Sequence, residues 1–315
     1  MLKRILKSWE GVSEIKKIKN KDNIRPLESE RVKVKETGNI TEIMYQTNGN
    51  NGIKIKKIDK DHYLDLETGE IKEFKHMENR TDDLNNLRVS MGNLRDLINT
   101  NVTDPKCCKW ITLTYKENMM DQNKLHNDFK MFNTYFKRKG YRYEYIAVAE
   151  PQGRGAWHLH VLFIFDHVVE YIPNDLIASC WRQGFTVTKR VDDVDNVGAY
   201  LTAYLGDIPL DEFDKLQESG SDFSGMSHEI RECEIDGVKK KIVKGARLHL
   251  YPPGFNLYRC SRGIKRPVVE YMKEEKAQKK ISSAKLTFEY TVTIWDDETA
   301  FEKTINKRYY NRSIK

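Results

Sequence analysis

Apolar and polar positions alternate most regularly in the centre of the chain. Four segments there are rich in aromatic and β-branched residues and predict β-strands at residues 110–115, 143–149, 157–165 and 185–188. Helical spacing and helix-end signals predict a helix behind Asp121 that carries Leu125, Phe129, Phe132 and Phe136, and further helices at residues 174–181 and 194–205. The order β-α-β-β-α-β with one helix appended predicts an α+β domain. Its sheet is expected to be ferredoxin-like and antiparallel, with both internal helices on one face.

The flanking segments are less regular. Residues 1–50 are polar and lysine-rich, which is typical of a mobile arm or a small accessory segment. Residues 51–100 predict small antiparallel strands and an amphipathic helix that lead into the central domain. The expected organisation is completed by a central domain at residues 105–210 and a basic C-terminal region at residues 211–315.

The third predicted strand, residues 157–165, has one side that is apolar throughout. Because strand side chains alternate and the two helices need an apolar surface, His158 and His160 are expected on the opposite, open face. The same reasoning sends Thr112 and Thr114 of the first strand to the open face. Paired imidazoles suit a divalent metal ion, although two histidines at this spacing are often ordinary surface residues.

Two further groups are candidates for the same face. Glu150 ends the second strand across a hairpin from the histidines and would add an oxygen ligand, unless a register slip of one residue turns it away. Tyr200 and Tyr204 lie four residues apart on the appended helix, which is available to cover the open face. Such pairs more often pack in a core, but beside a metal-polarised phosphodiester a tyrosine hydroxyl could cleave a strand covalently. Tyr309 and Tyr310 lie near the end of the chain and are not favoured nucleophiles.

Charge is unevenly distributed along the 315 residues. The net charge is +7, yet residues 237–315 alone hold 19 Lys and Arg against 8 Asp and Glu, a balance of +11. A basic cluster indicates a phosphate-backbone binder, and the interleaved aromatics of residues 251–266 suit stacking on unpaired bases, with a small packed domain as the alternative. The residues selected as DNA contacts are Thr112, Thr114, Arg154, Arg259, Arg262, Lys265 and Arg266.

Several protein classes are not expected. No run of about 18 apolar residues exists, and residues 1–21 are broken up by lysines, so neither membrane insertion nor secretion is indicated. Five cysteines without CxxC spacing indicate a reducing cytoplasm rather than disulfides or a zinc finger. No GxxxxGK[ST] loop is present, and ATP-driven unwinding would have to come from another protein.

The histidines and tyrosines together resemble a known family. His158 and His160, separated by one hydrophobic residue, are similar to the His-hydrophobic-His signature of the HUH endonucleases. Tyr200 and Tyr204 resemble the Tyr-x-x-x-Tyr helix of the two-tyrosine replication initiators in that family. One departure is Ala203, because many relatives carry a lysine just before the second tyrosine.

Further motifs extend the resemblance in the same order along the chain. Residues 110–115 are similar to the first motif of the family, and Glu150 with the loop at residues 153–155 resembles its glutamate and hairpin. Residues 181–185 resemble the link to its last catalytic strand. The resemblance covers about residues 105–210.

The resemblance implies a rolling-circle replication initiator of bacterial phages, plasmids or integrated mobile elements, acting in the host cytoplasm. In that family Mg or Mn polarises the scissile phosphate of single-stranded or hairpin origin DNA, with His158, His160 and Glu150 as the corresponding ligands here. Tyr200 or Tyr204 would form a 5′-phosphotyrosine link and leave a free 3′-OH, and the other tyrosine would serve the terminating cleavage and rejoining. A host helicase and polymerase are the expected partners, and no membrane is involved.

Two alternatives remain at the level of sequence. One is a transposase of the same chemistry that acts at element ends. The other is a non-catalytic single-stranded nucleic-acid-binding protein on the same sheet. The open face weighs against the second alternative, since it offers histidines and a glutamate where such binders display stacking aromatics.

Overall fold

The computed structural model describes residues 15–47, 55–66, 68–74, 84–152, 155–169, 171–191, 197–220, 223, 229–235, 238–252, 255–281, 283–296 and 301–314. The fold is α+β, as predicted, with antiparallel sheets and six α-helices among these residues. The chain divides into two compact units. Residues 77–266 form one, called the central unit, and residues 1–76 with 267–315 form the other, called the terminal unit.

The strands are β1 (Ile15–Lys19), β2 (Arg31–Thr37), β3 (Ile40–Gln46), β4 (Ile55–Lys57), β5 (His62–Asp65), β6 (Ile71–Glu73), β7 (Cys108–Thr114), β8 (Glu144–Pro151), β9 (Trp157–Ile164), β10 (Thr186–Lys189), β11 (Ile208–Pro209), β12 (Ile230–Ile235), β13 (Val238–Val243), β14 (Tyr258–Cys260), β15 (Val268–Lys273), β16 (Lys285–Asp296) and β17 (Phe301–Asn311). The helices are α1 (Leu84–Asn101), α2 (Gln122–Arg138), α3 (Asn174–Trp181), α4 (Val197–Gly206), α5 (Leu210–Glu218) and α6 (Glu274–Lys280), with 3₁₀ turns at Pro105–Cys107 and Ala246–Leu250.

The central unit is built on an antiparallel sheet of five strands in the order β10-β7-β9-β8-β14. Helices α2 and α3 cover one of its faces. Asp121 caps α2 by accepting from the backbone N–H groups of Asn123 and Lys124, which fixes where the helix begins. The apolar stripe of α2 is buried against Ile111 and Leu113, as the alternation along β7 predicted.

Helices α1 and α4 cover the opposite face, which the sequence treated as open apart from the tyrosine helix. Leu97 of α1 and Leu201 of α4 are buried there with Val148 and Leu162 of the sheet. The sequence predicted the apolar stripe of α1 but not the surface it covers.

Gly198 sets how closely α4 approaches α1. Its backbone N–H donates to the Asn99 side-chain oxygen over 2.9 Å. A Cβ at this position would lie 2.4 Å from that oxygen and 2.6 Å from the Arg95 carbonyl oxygen. Only glycine allows the two helices this separation.

The terminal unit joins the two ends of the chain in a six-stranded antiparallel sheet with the order β1-β16-β17-β3-β2-β15. Helix α6 packs on one face, where Ala277 and Ile281 meet Val34 and Ile43. Residues 15–47, predicted as a mobile arm or accessory segment, supply three of the strands.

The boundary between the two units falls inside the segment 211–315, which the sequence treated as a single region. Its cause is the pairing of distant strands, which leaves no trace in local periodicity. Two smaller sheets complete the described fold, β11-β13-β12 and β4-β5-β6. No helix in the described part of the chain is long and apolar enough to cross a membrane.

Candidate functional site

The register of the five-stranded sheet decides which side chains share a face. Glu150 of β8 lies opposite His158 of β9, and on the other side of β9 Thr112 lies opposite His160 and Thr114 opposite His158. Directly opposed residues of an antiparallel pair project to the same side. Glu150 therefore lies on the histidine face, and the register slip that would turn it away does not occur.

His160 is buried and held from three sides. Its Nε2 atom is in direct contact with Glu150 Oε2. Its Nδ1 atom lies 3.1 Å from Thr112 Oγ1. The indole of Trp110 stacks on the imidazole, with ring centroids 5.4 Å apart and planes 10° apart. These contacts fix the ring orientation and direct Nε2 toward the carboxylate.

Arg247 supplies the second partner of Glu150, and the sequence analysis did not identify it. Its guanidinium Nη1 lies 2.5 Å from Glu150 Oε1, and Nη2 lies 3.6 Å from Glu212 Oε2. Its Nε donates to the Asp207 carbonyl oxygen over 3.3 Å. Arg247 follows Gly245, whose φ of +73° turns the chain and whose N–H donates to Asp207 Oδ1. The buried guanidinium thus ties the 3₁₀ turn Ala246–Leu250 to the histidine face.

Glu150 is ionised despite its burial. Removal from water by itself would raise the pKa of this carboxyl, but the positive charges of His160 and Arg247 outweigh that effect and lower the pKa to about 2. A buried carboxylate with one oxygen toward a guanidinium and the other toward an imidazole is a strong acceptor for a cation.

His158 has a different environment. Its Nδ1 atom lies 2.9 Å from the Gln152 amide nitrogen, and its ring centroid is 6.5 Å from that of His160. Gln152 and Trp110 could have been found from sequence, because each lies two residues from a predicted site residue along its strand and therefore on the same face. Arg247 offered no such signal, since it reaches the site from a distant turn.

The donor types fit a divalent cation, because two imidazoles and one carboxylate lie on a single sheet face. Within the described residues, no group of three or more His, Cys, Asp or Glu side chains is clustered as a metal site. The contact between Glu150 and His160 occupies the position where those two donors converge. An ion would have to separate them, while Arg247 continues to hold Glu150 by its other oxygen.

The two tyrosines lie on α4, which packs on the histidine face through Leu201 and Leu205. Tyr200 is 39% exposed, at the edge of this buried stripe. The structure does not bring its phenol into the contact between Glu150 and His160. Tyr204 lies in the same helix, but its side chain is outside the described residues.

The predicted DNA contacts are dispersed. Arg154 lies outside the described residues. Arg259 contacts His126 Nε2 over 2.7 Å, on the face of the sheet opposite to the histidines. The remaining three basic residues are exposed in the segment that follows β14, at Arg262, Lys265 and Arg266. This segment is pinned to the end of α1, because the Asn101 side chain bonds both the N–H and the carbonyl of Lys265.

The aromatics between residues 251 and 266 pack rather than face solvent. Tyr251 and Phe255 are buried in the same core as α2, and the Phe255 ring stacks on Trp157 with centroids 4.6 Å apart. The packed alternative is therefore correct for these rings. Tyr309 and Tyr310 lie in β17, which is paired on both sides.

Residues 108–208 match a family of replication-associated proteins, the one described by its member ORF2. The match covers about a third of the chain and contains Glu150, both histidines and α4. No curated protein and no solved structure matches the chain. The family match supports a role in the initiation of replication, with DNA as the partner.

Proposed function

We propose that this protein initiates rolling-circle replication by nicking and rejoining single-stranded or hairpin DNA at an origin, as a two-tyrosine HUH endonuclease does. The observation that carries the proposal is the shared sheet face of Glu150, His158 and His160 inside the segment that matches the replication-associated family. The strand order β10-β7-β9-β8 is the fourth, first, third and second strand of the β-α-β-β-α-β segment. That order supports a ferredoxin-like sheet.

His158, His160 and Glu150 would hold Mg or Mn, which when bound supplies polarisation of the scissile phosphate. Arg247 holds one oxygen of Glu150 and keeps the carboxylate ionised. Thr112 and Trp110 fix the His160 ring so that its Nε2 faces the carboxylate. These second contacts orient the donors before DNA arrives.

A tyrosine of α4, Tyr200 or Tyr204, supplies the nucleophile. Its phenolic oxygen bonds to the phosphorus, the bond from phosphorus to O3′ breaks, and the phenolic proton is released to solvent. The products are a 5′-phosphotyrosine link and a free 3′-OH that primes synthesis. The second tyrosine carries out the terminating cleavage, and attack by a 3′-OH on a phosphotyrosine rejoins the strand. Unwinding and synthesis require a host helicase and polymerase.

The test is covalent capture of DNA. Purified protein is incubated with Mn²⁺ or Mg²⁺ and labelled single strands from the neighbouring intergenic DNA, and the adduct is resolved on a denaturing gel. Wild type is expected to form the adduct, and a variant with both Tyr200→Phe and Tyr204→Phe is expected to form none.

Tyr171→Phe is the matched control, since Tyr171 is an exposed tyrosine of the same unit outside α4. It should behave as wild type. The proposal fails if no strand yields a metal-dependent adduct, or if the double tyrosine variant forms as much as the control.

A further inference from the structure

The two faces of the six-stranded sheet in the terminal unit are chemically unlike. Arg308 and Asn306 point toward the face that carries α6 and are buried there, as is Tyr310. The alternate residues, Lys307 and Tyr309, point to the other face and are only partly buried. One face is therefore a core, and the other carries side chains that solvent reaches.

Four aromatic side chains lie on this second face: Tyr271, Phe288, Tyr290 and Tyr309. The Phe288 ring is the centre of a cluster, with its centroid 5.6 Å from that of Tyr290 and 6.1 Å from that of Tyr309. Phe288 is 55% exposed, and Tyr271, on the far edge strand, is 63% exposed. Rings this accessible contribute little to packing of the sheet.

Basic side chains surround the rings. By strand alternation, the same face carries Lys19, Arg31, Lys33, Lys35, Lys273, Lys303 and Lys307. Of the acidic side chains that the structure describes, Glu42 alone shares this face, where it is buried between Lys35 at 2.8 Å and Lys307 at 3.2 Å. These four aromatic and seven basic residues define what is called the aromatic-basic face. It is complementary in charge to a phosphate backbone.

We propose that the aromatic-basic face binds single-stranded nucleic acid, with bases stacked on Phe288 and Tyr271 and phosphates at the lysines between them. Accessible rings can stack on a base only where the base is unpaired, so the rings favour a single strand over a duplex. Stacking does not distinguish DNA from RNA. The choice of single-stranded DNA rests on the proposed function, which places such DNA at the origin. The face would give the strand a holding surface separate from the histidine site.

The first test measures binding without cleavage. Anisotropy of a labelled oligo(dT) of about 16 nucleotides, a length within the range that one single-strand-binding domain occupies, is followed with the full chain in EDTA. Phe288→Ala and Tyr271→Ala should each weaken binding roughly 5- to 100-fold, because each removes a stacking platform. Phe288→Tyr keeps a ring and should bind within a factor of two or so of wild type.

Val268→Ala is the matched control for Tyr271→Ala. Val268 is 55% exposed on the same strand but belongs to the opposite face. It should leave the affinity unchanged. Thermal unfolding of each variant shows that the sheet is intact, and the ring-retaining Phe288→Tyr keeps the test decisive if an alanine variant unfolds.

The second test separates the charge contribution. The slope of log affinity against log salt should become shallower by about 0.7 for each phosphate that Lys33→Gln or Lys273→Gln leaves without a lysine partner. Lys276→Gln should not change it, because Lys276 is exposed on α6 beyond the other face.

Three results would overturn the inference: equal affinity in Phe288→Ala, Tyr271→Ala and Val268→Ala; tighter binding of a matched duplex than of the single strand; or tighter binding of oligo(U) than of oligo(dT), which would make RNA the ligand. The outcome is distinguishable from that of the proposed function. Loss of the tyrosine adduct with oligo(dT) binding intact refutes only the nicking proposal. Adduct formation with unaltered binding in the ring variants refutes only this one.

Discussion

The two large sheets differ in how they are covered, and the difference separates two kinds of chemistry. The five-stranded sheet carries helices on both faces, so the polar groups of its histidine face are buried. The described part of the six-stranded sheet has a helix on one face, and the aromatic-basic face meets solvent. Burial fixes charges against one another and shifts their pKa values, whereas an exposed face keeps charges and rings available to a large ligand.

The buried carboxylates repeat this contrast. Glu274 of the terminal unit gives both oxygens to the Arg308 guanidinium, at 2.5 and 2.8 Å. Glu150 gives one oxygen to Arg247 and the other to His160. The first arrangement is closed and structural. The second leaves an oxygen facing an imidazole, which is a partner that a metal ion can share.

The largest effect is expected when the closed pair is broken. Arg308→Met leaves the Glu274 carboxylate buried without its counter-charge, which should lower the free energy of unfolding by about 3–5 kcal/mol. Adding Glu274→Leu to the same chain should restore most of that stability, because the uncompensated charge is removed. Urea unfolding followed by tryptophan fluorescence measures both. A cost below about 1 kcal/mol for Arg308→Met would show that water reaches the pair.

Arg247→Met should cost less, about 1.5–3 kcal/mol, because Glu150 keeps the His160 contact. The sharper expectation concerns metal. Added Mn²⁺ should raise the melting temperature of Arg247→Met by more than that of wild type, because a cation replaces the lost guanidinium. Arg308→Met should show no extra gain from Mn²⁺ over wild type. Equal Mn²⁺ responses in all three proteins would contradict a cation site at Glu150.

Gly198→Ala tests the approach of α4 to α1. The added methyl meets Asn99 and the Arg95 carbonyl, and overpacking of this kind costs about 1–3 kcal/mol. Gly92→Ala in α1 is the control, since nothing lies within 4 Å of a Cβ there. It should be neutral or stabilising, because alanine favours helix over glycine by up to about 1 kcal/mol. Chemical denaturation of the two variants gives the comparison, and equal stability would show that the helices can separate.

The smallest effect expected is a dependence on acid. Burial by itself would raise the pKa values of Glu42 and Glu274, but nearby cations lower both below the usual value near 4.5. A carboxyl with a lowered pKa in the folded state stabilises the protein above its unfolded pKa, and that stability is lost as pH falls through the folded value. The urea midpoint of the terminal unit should therefore stay level from pH 7 to about 5 and decline below the usual pKa of the carboxyls. A midpoint that rises on acidification would contradict these assignments.

The sequence predicted the central sheet well because its elements are local. Period-two alternation placed Ile111 and Leu113 in the core and Thr112 beside the histidines, and helical spacing found the stripe of α2. Each of these signals lies within one element, and the register of a hairpin needs only the two strands that flank it. Glu150 could be placed to within one residue for the same reason.

The remaining features depend on contacts between distant segments. Arg247 reaches Glu150 from a turn almost a hundred residues further along, and β1 pairs with β16 near the opposite end of the chain. Interleaved aromatic and basic residues suit a packed core as well as a binding surface. Only burial separates Phe255, which is core, from Phe288, which is exposed.

The insertion of the central unit between the two halves of the terminal sheet imposes an order on synthesis. A ribosome releases residues 77–266 before β15, β16 and β17, so the histidine site has all of its chain while the six-stranded sheet still lacks half of its strands. Domains fold as units during translation, and pairing of distant strands is slow. The surface proposed to hold a single strand is therefore completed last, when the whole polypeptide has been made.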